Sequence, residues 1–167
     1  MKQHPDILMI CLGNICRSPL AEGIMRSLIE RNHLNLTVGS AGTGRWHIGE
    51  PPHRGSIRVA KKHGLDISYQ RSQHMSEFEL QQIPYLCVMD ESNYQDVIQA
   101  YPYLKKRDKP LWILRQFEEN PNGTAQIKGV PDPYYGNGQE AFEEVFQIIT
   151  RSCLSFLTYI QKNNQSL

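Results

Sequence analysis

The junction between an apolar run and a glycine-containing loop, close to the start of the chain, constrains the fold more than any other segment. Residues 7–10 have the length and composition of a strand that is covered on both faces. They lead into residues 11–18, CLGNICRS, whose glycine and asparagine tolerate the positive φ of a tight loop. The Ser18-Pro19 pair then predicts a helix that begins at Ser18, with Ser18 as its N-cap. The sequence therefore predicts a strand, a tight loop and a helix in direct succession.

Strand-like and helix-like segments alternate along the rest of the chain. The further strand-like runs are residues 36–41, 85–89 and 111–114. The further helical patterns cover residues 54–63, 92–100 and 139–161. This alternation predicts a parallel sheet with helices on both faces, which binds ligands beyond the carboxyl ends of its strands. A length of 167 residues suits one domain over residues 1–167, with its core at about 6–161.

Charge and hydropathy exclude several classes of partner. The formal net charge is +1 with both signs interspersed, and the basic cluster at residues 105–107 is typical of a solvated loop, so we expect no nucleic-acid partner. No apolar run approaches the length that crosses a bilayer, so we expect no membrane association. Residues 1–6 lack the layout of a secretory signal. These features predict a cytoplasmic protein, and we expect it to be a monomer.

The cysteines and histidines do not show the spacings of structural sites. The four cysteines, Cys11, Cys16, Cys87 and Cys153, indicate neither a disulfide framework nor paired zinc knuckles. The six histidines form no ligand-spaced cluster, so we expect no metal and no other cofactor. Cys87 lies in an apolar strand run and Cys153 on the apolar face of a helix, which predicts that both belong to the core.

The loop between the first strand and the first helix has the composition of a phosphate-binding cradle. Successive backbone N–H groups can curl around an anion at a helix N-terminus. A thiol in this positive potential, close to the guanidinium of Arg17, is expected to ionise, which makes Cys11 a candidate nucleophile. Arg17 can hold two phosphoryl oxygens in a fork. The plainer alternative is a Cys11 that merely ends a strand and an Arg17 on a helix surface, but the combined pattern favours the cradle.

Four segments of the chain resemble the low-molecular-weight protein tyrosine phosphatases. They are residues 11–19, 40–42 (SAG), 90–93 (DESN) and 132–136 (DPYYG), and the likeness extends from about residue 6 to 161. The resemblance implies a three-layer, flavodoxin-like α/β fold with a four-stranded parallel sheet. It also implies hydrolysis of phosphotyrosine-containing proteins to inorganic phosphate, in two steps through a cysteinyl phosphate, without metal or organic cofactor.

The resemblance assigns roles to individual loop residues. Cys11 corresponds to the nucleophile and Arg17 to the phosphate clamp, while Ser18 provides a hydroxyl that assists the thiolate. Asn14 corresponds to the left-handed residue that shapes the cradle, with Ser40 in the hydrogen-bond network around it. The residues expected to contact the substrate from this loop are Leu12, Gly13, Asn14, Ile15, Cys16 and Ser18.

A carboxyl group is needed to protonate the leaving phenolate and then to activate water. Asp132 matches the acid of the family, and the prolines on either side of it limit its backbone freedom. In an arbitrary sequence such an aspartate would be typical of a turn. Asp90 is the rival, because it also follows a strand, but helix capping accounts for it.

Aromatic residues near these segments predict the substrate. By resemblance, Trp46 and Tyr134, with Tyr135 beside them, form a deep slot for an aryl phosphate, which phosphoserine is too short to use. Trp46 could instead pack as an ordinary loop aromatic, and the two tyrosines could be phosphorylation sites. The related arginine phosphatases carry threonine in place of Ile15 and lack the paired tyrosines, so the sequence favours phosphotyrosine.

Two features of the chain leave alternatives open. A curled loop could bring Cys16 close enough to Cys11 for a regulatory disulfide, and a buried thiol explains Cys16 equally well. Several relatives have a histidine that supports the loop asparagine, where this chain has Gln70 in the nearest alignment. A glutamine can also form a hydrogen bond, so the sequence leaves open how Asn14 is supported.

Two rival functions are weaker. An arsenate reductase would need two further paired cysteines, and Cys87 has no near partner. A phosphoprotein-binding module would need neither Cys11 nor Asp132.

Overall fold

A four-stranded parallel sheet forms the centre of the molecule. The computed structural model describes residues 1–118, 129–136 and 138–164. The strands are Ile7–Cys11 (β1), Val38–Gly42 (β2), Tyr85–Val88 (β3) and Leu111–Ile113 (β4). They lie in the order β2-β1-β3-β4, with Ile7 of β1 opposite Val38 on one side and opposite Tyr85 on the other. This sheet confirms the predicted fold class.

Helices cover both faces of the sheet. They are Arg17–Arg31 (α1), Arg54–Lys62 (α2), Glu91–Ala100 (α3) and Gln139–Asn164 (α4). Short 3₁₀ turns occupy Met75–Glu77, Leu80–Gln82, Pro102–Lys106, Leu114–Phe117 and Pro133–Tyr135. Within the ranges that the structure describes, every helix is too short or too polar to cross a bilayer.

The alternation of side chains along β1 divides the core into two parts. Ile7 and Met9 pack in a cluster with apolar residues of α1, α2 and α4, while Leu8 and Ile10 pack with those of α3. Successive residues of a strand point to opposite faces, so a strand between two helical layers must be apolar throughout. Cys87 and Cys153 are fully buried in the first cluster, in agreement with their predicted place in the core.

The order of the strands creates a crevice at the carboxyl end of β1. After β1 the chain crosses to β2 on one side, whereas β3 and β4 lie on the other side. The loops that follow β1 and β3 therefore diverge, and ligands of open α/β sheets bind at such a point.

The start of α1 differs from the prediction. The helix begins at Arg17, and no side chain caps it, whereas Ser18 was predicted as its cap. The Ser18 hydroxyl lies instead 3.1 Å from Cys11 Sγ, buried beneath the loop. The backbone N–H groups of this helix end are thus left for an anion.

Candidate active site

The loop between β1 and α1 is curled so that its backbone carbonyls face outward. Five of them accept hydrogen bonds of 2.7–3.0 Å from surrounding segments: Cys11 O from Thr43 N, Leu12 O from Gly44 N, Gly13 O from Ser72 Oγ, Ile15 O from His53 N and Cys16 O from Ser56 Oγ. Across a planar trans peptide, a carbonyl and the following N–H point in opposite directions. The N–H groups of the loop therefore converge on its inner side, as an anion-binding nest requires.

Cys11 lies at the base of this nest. The residue is only 2% exposed, and its Sγ accepts a hydrogen bond of 3.3 Å from the backbone N–H of Asn14. The Ser18 hydroxyl lies 3.1 Å from the same sulfur. A backbone N–H donor, a hydroxyl and the uncapped N-terminus of α1 therefore surround the sulfur.

Asn14 holds the loop in shape from behind. Its φ of 55° is the left-handed conformation, which asparagine adopts more readily than most residues. Its Nδ2 donates to Ser18 Oγ at 2.7 Å and to Ser40 Oγ at 2.9 Å, and its Oδ1 accepts from the backbone N–H of Gln73 at 2.9 Å. All polar groups of this buried side chain are thereby satisfied.

The network behind Asn14 continues to the protein surface without Gln70. Ser40 Oγ donates to Glu22 Oε2 at 2.7 Å, and the other carboxylate oxygen of Glu22 accepts from Arg26 at 2.7 Å. Gln70, which aligns with the supporting histidine of several relatives, directs its Nε2 to the carbonyl of Pro19 at 3.1 Å. Asn14 is therefore supported by Ser18, Ser40 and the Gln73 backbone, of which the Gln73 contact was not identified from the sequence.

Arg17 is buried between two carboxylates. Its Nη1 donates to Asp90 Oδ2 at 2.6 Å and to the carbonyl of Val130 at 3.1 Å, and its Nη2 lies 3.4 Å from Asp132 Oδ2. Burial disfavours the charged guanidinium, but the charges of Cys11, Asp132 and Asp90 outweigh it and raise the pKa of Arg17 above its ordinary value. The charged guanidinium of Arg17 is thus held in place at the crevice.

Asp90 has two partners at once. Its Oδ1 accepts from the backbone N–H of Asn93 at 2.7 Å and so caps α3, as its sequence context indicates. Its other oxygen holds Arg17, a contact between residues 73 positions apart that the sequence does not reveal. The one sequence feature that placed Asp90 near the site was its position directly after a strand of the sheet.

The segment that carries Asp132 is joined to the end of β3. The N–H of Val130 donates to the carbonyl of Met89 at 2.7 Å, and Arg115 Nη1 donates to the carbonyl of Gly129 at 3.1 Å. Asp132 Oδ1 accepts from the N–H of Tyr134 at 3.0 Å, which fixes the side chain beside Arg17. The Asp132 side chain is 26% exposed, so the carboxyl can meet a bound molecule.

A cavity of about 380 Å³, called here the slot, opens above Cys11. Its lining residues are Cys11, Leu12, Gly13, Ile15, Cys16, Arg17, Trp46, His47, Asp132, Tyr134 and Tyr135. Trp46 is 71% exposed and Tyr134 53%, so both aromatic rings are available to a ligand. His53 contacts the Tyr134 ring edge-on, with 5.9 Å between ring centroids. The slot leads from an aromatic entrance to a sulfur and a guanidinium.

Two residues predicted to contact the substrate, Asn14 and Ser18, lie behind the slot, beside Ser40 of the predicted network around Asn14. Asn14, Ser18 and Ser40 are buried in the network under the loop. Conversely, His47 lines the slot and pairs through its Nδ1 with Glu50 Oε2 at 2.7 Å, although sequence reasoning did not select it. Its position next to Trp46 was the only signal.

Cys16 also lines the slot but differs chemically from Cys11. Burial, reinforced by the nearby charges of Cys11 and Asp132, raises the pKa of its thiol to about 12. Neither Cys11 nor Cys16 is in a disulfide in the structure. Cys16 is therefore a poor nucleophile near neutral pH.

Comparison with known proteins agrees with this geometry. Residues 6–166 match the family model described as low molecular weight phosphotyrosine protein phosphatase. The chain is 37% identical to the low molecular weight protein-tyrosine-phosphatase PtpA of Staphylococcus aureus, over 95% of both chains. The crystal structure of YfkJ from Bacillus subtilis is similar, with a TM-score of 0.84, 35% identity and coverage of 96% of this chain and 97% of the other. A drosophila arginine phosphatase, DARP, superposes with a TM-score of 0.82 at 26% identity, with 93% and 97% covered.

Proposed function

The chain belongs to the low molecular weight phosphotyrosine protein phosphatase family and is a protein tyrosine phosphatase, and we propose that it acts through a phosphoryl group carried on Cys11. The observation that carries this proposal is the position of Cys11 Sγ. The sulfur lies at the base of the anion nest, below an aromatic entrance and within the same slot as Arg17 and Asp132.

The first step transfers the phosphoryl group to sulfur. The Cys11 thiolate attacks phosphorus, the bond between phosphorus and the phenolic oxygen breaks, and protonated Asp132 gives its proton to the leaving oxygen. Arg17 and the loop N–H groups bind the equatorial oxygens and stabilise the charge in the transition state. Asp90 keeps the guanidinium in place for this role.

The second step regenerates the thiolate. The Asp132 carboxylate now takes a proton from a water molecule, which attacks phosphorus and breaks the bond to sulfur. Inorganic phosphate leaves, and Cys11 returns as a thiolate stabilised by Asn14 N–H and the Ser18 hydroxyl. Arg17 and the helix end neutralise charge throughout, so the mechanism assigns no step to a metal ion or organic cofactor.

The depth of the slot selects the substrate. A phosphoryl group that reaches the almost fully buried Cys11 must be carried on a long group, and the exposed faces of Trp46 and Tyr134 suit an aryl ring. Phosphoserine is too short. Phosphoarginine is the second candidate, since one similar structure is an arginine phosphatase, but Ile15 and the Tyr134-Tyr135 pair favour phosphotyrosine. A thiol nucleophile also suits a reducing compartment, which supports a cytoplasmic location.

Hydrolysis of three phosphopeptides tests the substrate class. Matched peptides with phosphotyrosine, phosphoserine or phosphoarginine are incubated with the enzyme in a chelating buffer, and phosphate release is measured. We expect release from phosphotyrosine alone. Release confined to phosphoarginine would contradict the assignment of substrate, and release that requires added metal would contradict the proposed mechanism.

The close approach of Gly129 to Asp90 gives a second prediction. A Cβ at Gly129 would lie 2.6 Å from Asp90 Cβ and 3.2 Å from the carbonyl of Met89, so Gly129→Ala must displace the segment that carries Asp132. We expect kcat for a phosphotyrosine peptide to fall by roughly 10²-fold, as misplacing a catalytic group by about 1 Å can do. Gly39→Ala is the control, because its Cβ would meet nothing closer than 3.4 Å. Equal activity of the two variants would contradict the prediction.

A further inference from the structure

A second cavity lies beside the slot. It has a volume of about 390 Å³, and it shares Leu12 and Trp46 with the slot. Trp46 lies between the two cavities, and its ring packs against Gly44, where a Cβ would be 1.9 Å from Trp46 Cζ3. A peptide bound with its phosphotyrosine in the slot therefore has a neighbouring cavity within reach of its flanking residues.

The lining of this cavity combines apolar and aromatic surface with one carboxylate. Leu12 and Met75 provide aliphatic surface, and Trp46 and Tyr101 provide aromatic rings. Asp96, on α3, contributes its carboxylate to the same lining. A lysine or arginine side chain has a matching structure, because its methylene stem packs on apolar surface and aromatic faces while its cationic head pairs with a carboxylate.

The Asp96 carboxylate is held only weakly by the residues that the structure describes. Its Oδ2 accepts one long hydrogen bond, of 3.3 Å, from the Thr43 hydroxyl. His74 also lines the cavity, but burial and the nearby charge of Arg45 lower its pKa, so that its imidazole is neutral near pH 7. Arg45 itself is not among the lining residues and donates to Ser76 Oγ at 3.2 Å. The lining of the cavity thus includes one carboxylate and no lysine or arginine.

We propose that this second cavity is a substrate subsite that takes a lysine or arginine side chain near the phosphotyrosine of a protein substrate. The cationic head pairs with Asp96, and the stem lies against Trp46. The proposal rests on the proposed phosphatase function and deepens it, because it gives the enzyme a preference for basic sequences around phosphotyrosine.

A peptide series measures this preference. A single lysine is placed in turn at each position flanking phosphotyrosine, and kcat/KM is compared with that of the matched alanine and glutamate peptides. The enzymes compared are the wild type, Asp96→Asn and the control Glu91→Gln. The control substitution removes the same charge from α3 at a position outside the cavity. Each rate is divided by that for phenyl phosphate, which has no flanking residues and reports on the slot alone.

We expect lysine at one or more positions to raise kcat/KM about three- to fivefold over alanine, the upper range for a partly exposed ion pair. The preference should disappear in Asp96→Asn and persist in Glu91→Gln. Continued peptide hydrolysis without a lysine preference, or with one that survives in Asp96→Asn, would overturn the subsite and leave the phosphatase function standing. Absence of hydrolysis for every phosphotyrosine peptide would overturn the function and the subsite together.

Discussion

Cys11→Ser is expected to lower kcat for a phosphotyrosine peptide by roughly 10⁴-fold or more, as removal of a covalent nucleophile does in other enzymes. Serine is close to cysteine in size and can keep the contacts with Asn14 N–H and the Ser18 hydroxyl. Its hydroxyl, however, ionises far less readily than a thiol and does not attack phosphorus at a useful rate. The loss should therefore appear in kcat, while inorganic phosphate still binds and competes with substrate.

Cys16→Ser is the matched comparison for this variant. Cys16 belongs to the same loop and the same slot, but burial and its charged neighbours raise the pKa of its thiol to about 12. A protonated thiol takes no part in the chemistry, so we expect a far smaller loss than for Cys11→Ser. Substantial turnover by Cys11→Ser, or equal losses in the two variants, would contradict the assignment of the nucleophile.

Asp132→Asn is expected to slow the enzyme in proportion to the difficulty of the leaving group. Loss of acid catalysis should cost about 10²- to 10⁴-fold for phenyl phosphate, whose phenolate needs a proton as it departs. For p-nitrophenyl phosphate the loss should be much smaller, because nitrophenolate leaves without protonation. Asparagine can still accept the Tyr134 N–H, so the segment keeps its local structure. A series of substituted phenyl phosphates measures the effect.

The Asp90→Asn variant separates acid catalysis, assigned to Asp132, from the support that Asp90 gives to Arg17. Asp90 holds the guanidinium at 2.6 Å, and an amide in its place would present N–H groups to a cation. We expect a loss of similar size for every leaving group, because the phosphate clamp serves all substrates equally. A leaving-group dependence in Asp90→Asn, with none in Asp132→Asn, would reverse the assignment of the acid.

The elements that sequence reasoning placed correctly are those determined by local pattern. The continuous apolar run before Cys11 predicts a strand buried on both faces, and the helical spacing of apolar residues in α4 predicts one buried face. The residues so selected are buried in the structure. The four strands and the parallel sheet were therefore predictable. The start of α1 was not, because a Ser-Pro pair normally begins a helix. Here the Ser18 hydroxyl is used by Cys11 and Asn14, and the helix begins one residue earlier.

The supporting contacts of the site depend on tertiary structure and leave little trace in the sequence. The Gln73 backbone that holds Asn14 could be any residue, since only its N–H is used. The Leu12 carbonyl faces outward because it accepts a hydrogen bond from the N–H of Gly44, which lies in a loop about thirty residues further along the chain. Asp90 shows the same limit: its capping role was evident locally, whereas its contact with Arg17 needed the fold.

The most direct test of the mechanism is to identify the residue that carries phosphate during turnover. The enzyme is mixed with a phosphotyrosine peptide, quenched in acid within the steady state and digested, and the fragments are analysed by mass spectrometry. We predict a phosphoryl group on the fragment that contains Cys11, localised to that residue and absent from Cys11→Ser. Turnover without a phosphorylated Cys11, or with phosphate on another residue, would contradict the proposed mechanism.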